Sequence, residues 1–191
     1  MRSSLLVLLA TATAAHADAT VDWATGLVTA EGVGIADRHA PSPAVARGTS
    51  RRGAEEAAKR ALAAKIAALP LATGGTVGER AKAAVDGAFA IAADPETDGA
   101  WRVTMAVPVE AIRLALTAPR TLAAGGDTGP AILVVDGAKA KPAIGYHDGA
   151  TLFVDKVPAW AADAPHAKGT LVGGAITVSG GTPATLYVIV N

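Results

Sequence analysis

The sequence predicts an α+β fold, in which a long alanine-rich helix packs on a small antiparallel sheet and a β-rich C-terminal region follows. Three observations predict it. Good helix formers fill the chain from Ala44 to Leu69 almost without interruption. On both sides of this helix, apolar residues recur at every second position, which is the period of a strand. Beyond residue 130 the helical period is lost, and short apolar runs alternate with Gly, Pro and Asp.

Composition excludes several classes of function. Of the 191 residues 47 are alanine, so the hydrophobic fraction of 51% overstates the core, because alanine buries little apolar area. Basic and acidic residues number 17 each, whereas a nucleic-acid-binding protein usually carries an excess of positive charge. We therefore expect no nucleic-acid partner. The absence of cysteine excludes disulfides, thiolate zinc sites, thiol catalysis and a lipid-modified N-terminal cysteine.

The first seventeen residues have the pattern of a signal peptide. Arg2 precedes a short apolar run, and Ala15-His16-Ala17 is an A-x-A cleavage site before Asp18. The run is shorter than the roughly 20 residues of a transmembrane helix. We expect cleavage between Ala17 and Asp18 and a periplasmic or secreted protein with no transmembrane span and no lipid anchor. An ordinary buried N-terminal helix is the alternative.

The first strand and the long helix follow from local signals. Apolar residues alternate with small or polar ones over Leu27–Ile35, which predicts a strand. Ser42 fits the N-cap of the helix, and Pro43 fits its first position. The helix is expected to continue to Leu69, because Pro70 cannot extend it.

The buried face of this helix is predicted to be narrow and lined with alanine. One apolar stripe runs along it with spacings of three and four residues, as on a helix that packs on one side: Ala54, Ala58, Leu62, Ile66 and Leu69. Such a face can cover the protein's own sheet, and it could also pack closely on a partner.

The remaining elements of the first unit complete a β-α-β-β-α order. One or two helical turns are predicted over Val77–Val85, and a strand is predicted over Ala88–Ala92. Turn-forming residues fill Asp94–Gly99. The strictly alternating segment Trp101–Val107 then pairs with the preceding strand as a hairpin. A short helix starts at Pro108.

A glycine-rich segment separates the two parts of the mature chain. Leu122–Gly129 is the predicted linker, which leaves residues 18–121 as an α+β domain and residues 130–191 as a β-rich region. The final strand is predicted to be a central one, so that truncation would destabilise the sheet. The strands predicted in this region are Ile132–Val135, Thr151–Val154, Thr170–Val172, Ala175–Val178 and Thr185–Val190.

No motif predicts a catalytic residue. Asp37, His39 and Ser42 have the residue types of a hydrolytic triad, but they lie within six residues, whereas triad partners usually converge from different elements. We interpret them as a polar surface loop with a helix cap. Gly32 and Gly34 fit the start of a dinucleotide-binding fingerprint, but Asp37 occupies the position of the third glycine. We interpret both glycines as residues of a strand end.

Metal ligands and cofactor-binding residues are not predicted either. His39, His147 and His166 share no common ligand spacing. We therefore expect no catalytic residue, no cofactor and no metal ion, and no enzymatic activity. A secreted hydrolase is a third hypothesis, and it would need a pocket that joins His147 or His166 to a distant carboxylate.

Motifs spread over most of the chain resemble one bacterial family. Val21-Asp22-Trp23, the strand that ends near Gly34, the alanine-rich helix and Val85-Asp86-Gly87-Ala88 are similar to LPP-type bacterial lipoproteins and to the N-terminal domain of flagellar assembly protein T. The segments 98–108 and 128–136 resemble the family's second hairpin strand and the C-terminal region of its exported members. The resemblance implies a cell-envelope protein without catalytic residues, and some relatives are associated with the flagellar basal body. This chain lacks the cysteine that anchors the lipoproteins.

Two functional hypotheses follow. The first is an exported, non-enzymatic cell-envelope protein that has a structural or protein-interaction role, binds a protein partner in the envelope and is linked to envelope or flagellar assembly. The alternative is a small-molecule or glycan-binding periplasmic module, in which Trp101, Tyr146 or Trp160 would stack on the ligand.

Overall fold

A computed structural model of the chain describes residues 18–116, 132–146, 150–180 and 184–191. These residues form helices and two β-sheets, which confirms the predicted α+β fold. The predicted signal peptide, with Ala17 at its cleavage site, and the predicted linker Leu122–Gly129 lie outside the described residues. None of the helices within the described ranges combines the length and the apolar character that crossing a bilayer requires.

The first sheet has four antiparallel strands in the order β1-β2-β4-β3. The strand bounds are Ala19–Asp22 for β1, Leu27–Gly34 for β2, Phe89–Pro95 for β3 and Trp101–Pro108 for β4. The predicted strand before the long helix and the predicted hairpin after it are both confirmed. Strand β1 was not predicted, because its four residues are too few to show a period.

The long helix α1 spans Pro43–Ala67 and begins as predicted. The side chain of Ser42 accepts a hydrogen bond from the backbone N–H of Val45 at 3.3 Å, and Pro43 occupies the first turn. The helix ends two residues before the predicted Leu69, with Ala68 as its C-cap.

The alanine-lined stripe of α1 is buried inside the protein. All five of its residues belong to the core between α1 and the first sheet, together with Val28, Val103 and Met105. The larger buried side chains of the stripe lie in the C-terminal half of the helix, where Leu62 is fully buried. The stripe therefore stabilises the chain's own fold and is not available to a partner.

Two glycines bring α1 unusually close to β2. A Cβ atom at Gly32 would lie 2.1 Å from the carbonyl oxygen of Ala54, and one at Gly34 would lie 1.8 Å from that of Ser50. No real side chain fits such distances, so only glycine permits this contact. The two glycines thus serve helix packing at a strand end, in agreement with the interpretation made from the sequence.

Short helices close the first unit. A 3₁₀ turn over Gly78–Ala81 leads into α2 (Lys82–Asp86), and α3 (Val109–Leu116) follows β4 directly. The 3₁₀ turn and α2 lie where helical turns were predicted, whereas α3 starts one residue later than predicted, because Pro108 is the last residue of β4. Ile112 of α3 is fully buried in the same core as the stripe of α1.

The second sheet has five strands in the order β6-β9-β5-β7-β8. The first four of these run parallel to their neighbours, and β8 pairs antiparallel with β7. The last strand in the chain, β9, lies between β5 and β6, which confirms its predicted central position. All five strands were predicted, with bounds that differ by up to four residues: β5 Ile132–Asp136, β6 Ala150–Val154, β7 His166–Val172, β8 Ala175–Ser179 and β9 Leu186–Val190.

Backbone hydrogen bonds connect the part of the chain around the first sheet to the part around the second sheet at two places. The backbone N–H of Ala72 donates to the carbonyl oxygen of Ile144 at 2.9 Å, and the N–H of Ile144 donates to that of Pro70 at 3.0 Å. On the other side, the N–H of Phe153 in β6 donates to the carbonyl oxygen of Trp23 at 3.4 Å. A cleft lies beside this second connection.

Candidate functional site

The cleft between the two sheets has a volume of about 240 Å³. Clefts at the junction of two structural units are common ligand sites in proteins. Its walls come from the β1–β2 turn, the start of α3, the segment 143–145 and strand β6. The lining residues are Trp23, Thr25, Gly26, Leu27, Pro108, Val109, Glu110, Arg113, Ala143, Ile144, Gly145, Thr151, Leu152 and Phe153.

The β1–β2 turn that forms one wall is held by its own hydrogen bonds. The carboxylate of Asp22 accepts the backbone N–H groups of Ala24 at 2.9 Å and of Thr25 at 3.2 Å. The Thr25 hydroxyl and these N–H groups favour the ionised carboxylate and lower the pKa of Asp22. Gly26 has a φ of +69°, and its carbonyl oxygen accepts the N–H of Val109 at 2.8 Å. The turn is thereby fixed to the start of α3, with Trp23 beside the cleft.

An aromatic cluster links this turn to strand β6. The rings of Trp23 and Phe153 meet edge to face, with centroids 5.9 Å apart and planes at 82°. Tyr146 packs on the same phenylalanine at 5.8 Å. Because Phe153 is buried, it holds the indole of Trp23 in one orientation at the edge of the cleft.

A buried arginine and its glutamate supply the charged groups of the cleft. Nε of Arg113 donates to Oε2 of Glu110 at 2.7 Å, and Nη2 of Arg113 donates to Oε1. The side chain of Arg113 is only 8% exposed, whereas that of Glu110 is 37% exposed. A cation is tolerated at such depth when it is paired, and a two-bond pair with a carboxylate is a strong one. This pair was not predicted from the sequence, although its i,i+3 spacing was a usable signal.

A larger groove lies beside the C-terminal half of α1. Its volume is about 410 Å³, and it is lined by short side chains such as Ala63, Ala67 and Gly78 with Glu79 and Lys82 at its rim. Alanine and glycine offer few contact atoms, and no aromatic ring lines this groove. The smaller cleft is therefore the better candidate for a small ligand.

A second candidate surface lies on strand β3, one of the two edge strands of the first sheet. Phe89 is 47% exposed and Ile91 is 51% exposed. A bulge between Ala90 and Ala92 interrupts the pairing of β3 with β4, and Pro95 ends the strand. We call the side chains of Phe89 and Ile91 the β3 surface.

The aromatic residues predicted to stack on a ligand are not brought together. Trp101 packs against the first core, its Nε1 is buried without a partner among the described residues, and the guanidinium of Arg51 lies 5.4 Å from its ring. Tyr146 contacts Phe153, near the cleft. Trp160 is exposed on a 3₁₀ turn. The aromatic residues that line the cleft are Trp23 and Phe153, and neither was predicted from the sequence to contact a ligand.

The loop that resembled a triad makes local hydrogen bonds. Asp37 accepts the backbone N–H of His39 at 2.8 Å, and Ser42 caps α1. The interpretation of this loop as a polar surface with a helix cap is thereby supported by its contacts. Among the described residues, no three potential ligands lie close enough together to hold a metal ion.

The hydrolase hypothesis required an imidazole beside a distant carboxylate. Nδ1 of His166 lies 2.7 Å from Oδ2 of Asp136, across the parallel strands β7 and β5. Both side chains are nearly half-exposed, and neither residue lines the cleft or the groove described above. His147 lies outside the described residues. The imidazole–carboxylate pair that a hydrolase would need is therefore present as His166 and Asp136. Neither of the two cavities, however, would place a substrate beside it.

Comparison with known proteins identifies no relative. No protein-family model matches the chain, and no curated protein or solved structure is detectably similar to it. The similarity to LPP-type lipoproteins and to the flagellar assembly protein T domain thus stays a prediction that depends on the sequence motifs. The function has to be inferred from the surfaces of the chain itself.

Proposed function

We propose that this chain is an exported, non-enzymatic cell-envelope protein that binds another protein through the β3 surface. One observation carries the proposal: two large apolar side chains, Phe89 and Ile91, are half-exposed and two residues apart on an edge strand. Neighbouring exposed apolar side chains are typical of an interaction site. Edge strands are usually protected by charged residues, but residues 87–93 carry no charge.

The contact is expected to be made by side chains rather than by addition of a strand. The bulge between Ala90 and Ala92 bends the edge of the sheet and disrupts its regular row of hydrogen-bonding groups. Pro95 lacks a backbone N–H to donate. A partner would therefore bury Phe89 and Ile91 in an apolar depression of its own.

The cell-envelope assignment is supported by two features of the sequence. The first seventeen residues have the pattern of a signal peptide. The motifs shared with LPP-type lipoproteins and with the flagellar assembly protein T domain are those of envelope proteins. A role in envelope or flagellar assembly rests on that resemblance alone.

The non-enzymatic assignment is supported by the roles of the polar residues that were candidates for catalysis. Asp37 and Ser42 form hydrogen bonds with nearby backbone N–H groups. Such bonds stabilise a loop and a helix terminus. The remaining imidazole–carboxylate pair, His166 with Asp136, is exposed to solvent.

Site-specific crosslinking in the organism that encodes the chain tests the proposed interaction. A photoreactive phenylalanine analogue at position 91 is expected to give a crosslinked product of one defined mass in the envelope fraction. The matched control is the same analogue at Ile35, which is 83% exposed in the loop after β2. Identical products from both positions, or no product from position 91, would contradict the proposal. As a second readout, Ile91→Glu is expected to abolish recovery of the partner, while Ile35→Glu is expected to preserve it.

A further inference from the structure

We infer that the cleft between the two sheets binds one neutral sugar ring. This site is separate from the β3 surface: it is built from the β1–β2 turn, α3 and β6, and it does not depend on the proposed protein partner. Its size, its apolar wall and its polar groups each restrict the class of ligand.

The volume of the cleft fits a single ring. At about 240 Å³, it is smaller than the roughly 300–1,000 Å³ of most ligand pockets, which favours a ligand of one ring. A six-membered ring with its hydroxyl substituents is of this size, whereas two linked rings would extend into solvent. The expected ligand is therefore a monosaccharide or the terminal residue of a longer glycan.

The apolar wall suits the C–H face of such a ring. Trp23, Leu152 and Phe153 line one part of the cleft, and the edge-to-face contact of the two aromatic rings fixes the orientation of the indole. An aromatic side chain provides a large apolar surface with little loss of conformational entropy when it is already held in place. A pyranose has an apolar face of C–H groups that can cover this surface.

The polar groups suit a ligand that donates and accepts several hydrogen bonds. Each carboxylate oxygen of Glu110 accepts one N–H of Arg113. A carboxylate has about four acceptor sites, so Glu110 can also accept hydroxyl protons from a ligand. The hydroxyl of Thr151, which also lines the cleft, can act as a donor and an acceptor, whereas that of Thr25, which donates to Asp22, can accept.

The charge of the cleft favours a neutral ligand. Among the described residues that line the cleft, the ionisable ones are Arg113 and Glu110, which carry opposite charges and pair with each other. A ligand with a carboxylate or an ammonium group would bring an uncompensated charge into a partly desolvated site, which is costly. An apolar ring of the same size would shield the carboxylate of Glu110 from water without offering it a hydroxyl donor, and the loss of that hydrogen bond to water is also costly. A hydroxylated, uncharged ring avoids both penalties.

The test is ligand-observed saturation-transfer NMR with the full exported chain. The probes are glucose, galactose, mannose and N-acetylglucosamine, with glucuronate as a charged analogue and cyclohexanol as a ring with a single hydroxyl. At least one neutral sugar is expected to bind, and glucuronate and cyclohexanol are expected to bind more weakly. The inference is overturned when none of the four sugars binds, or when either analogue binds as well as the best sugar.

A pair of threonine variants locates the binding. Thr151→Val removes one hydroxyl of the cleft with little change in shape and is expected to weaken sugar binding about fivefold. Thr177→Val makes the same change on the exposed side of β8 and is expected to leave the affinity unchanged. Equal affinities for the two variants would place the sugar elsewhere and contradict the inference. Because neither variant alters Phe89 or Ile91, this result and the crosslinking result at position 91 can fail independently.

Discussion

The hydroxyl of Ser50 in α1 donates a hydrogen bond of 2.6 Å to the carbonyl oxygen of Gly34 in β2. Ser50 is 1% exposed, so this bond is closed to water. The contact is possible because Gly34 has no Cβ atom to separate the strand from the helix backbone. Strand and helix are thereby fixed to one another by one close backbone contact and one buried hydrogen bond.

The first prediction concerns this close contact. Gly34→Ala is expected to lower the free energy of unfolding by about 3 kcal/mol, because its Cβ would meet backbone atoms that cannot move without displacing the helix. The matched control is Gly48→Ala, at a helical position with open space around it, which is expected to raise stability by up to about 1 kcal/mol. Urea denaturation measures both. Equal effects of the two variants would show that α1 does not lie this close to β2.

The second prediction concerns the hydrogen bond itself. Ser50→Ala is expected to lower the free energy of unfolding by about 1 kcal/mol, because the lost buried bond outweighs the better helix propensity of alanine. Thr49→Ala is the control, since the hydroxyl of Thr49 bonds only to carbonyls of its own helix and is exposed. That variant is expected to be neutral or slightly stabilising. A stabilised Ser50→Ala variant would contradict the role assigned to the bond.

Local sequence signals predicted the helices and most strands. The Ser42-Pro43 pair marked the start of α1, and the stripe that contains Leu62 marked its buried face, because capping and periodicity depend on residues within a few positions of one another. The five strands of the second sheet were predicted for the same reason. The short β1 had no such signal.

The order and direction of strands and the composition of the cleft could not be predicted. A two-residue period is the same in parallel and antiparallel strands, so the parallel arrangement around β9 was not foreseen. The cleft combines Trp23, Arg113 and Phe153, which are 40 to 130 residues apart in the sequence. Their proximity follows from how the sheets meet, and no local pattern encodes it.

The third prediction concerns the central strand of the second sheet. Deletion of residues 186–191 removes β9, whose Val188 and Ile189 are fully buried between β5 and β6. The two neighbouring strands would lose their hydrogen-bond partner and their core contacts together, so the second sheet is expected not to fold. Near-ultraviolet circular dichroism and hydrogen exchange would show loss of protection in β5 and β6. Deletion of Asn191 alone, an exposed terminal residue, is the control and is expected to retain that protection.

The fourth prediction concerns export. The A-x-A site predicts that the protein recovered from the periplasm or the medium starts at Asp18. N-terminal sequencing or intact mass measurement of that fraction tests it. Ala17→Leu places a large side chain at the cleavage position and is expected to cause accumulation of the uncleaved form, whereas Ala19→Leu, beyond the site, is the control. Recovery of exported protein that retains Met1 would refute the prediction.

The fifth prediction concerns the pH dependence of the turn beside the cleft. The Thr25 hydroxyl and the backbone N–H groups of Thr25 and Ala24 lower the pKa of Asp22 below its ordinary value of 3.8. Because the pKa of Asp22 is lower in the folded state, its ionised carboxylate stabilises the fold at pH values above the unfolded-state pKa. This stabilisation is lost as the pH falls through the lower, folded-state pKa. The destabilisation caused by Asp22→Asn should therefore be constant near neutral pH and should shrink below about pH 4.

An NMR titration of the Asp22 carboxyl separates this explanation from a general effect of acid. Thr25→Val removes the hydroxyl, which is the largest cause of the shift, and is expected to raise the pKa of Asp22 towards 3.8. Thr29→Val is the matched control, because the hydroxyl of Thr29 lies 3.0 Å from that of Thr20 and belongs to a different contact. It should leave the pKa of Asp22 unchanged. A carboxyl that titrates at 3.8 or above in the unmodified chain would mean that the hydrogen bonds of the turn do not hold its charged form.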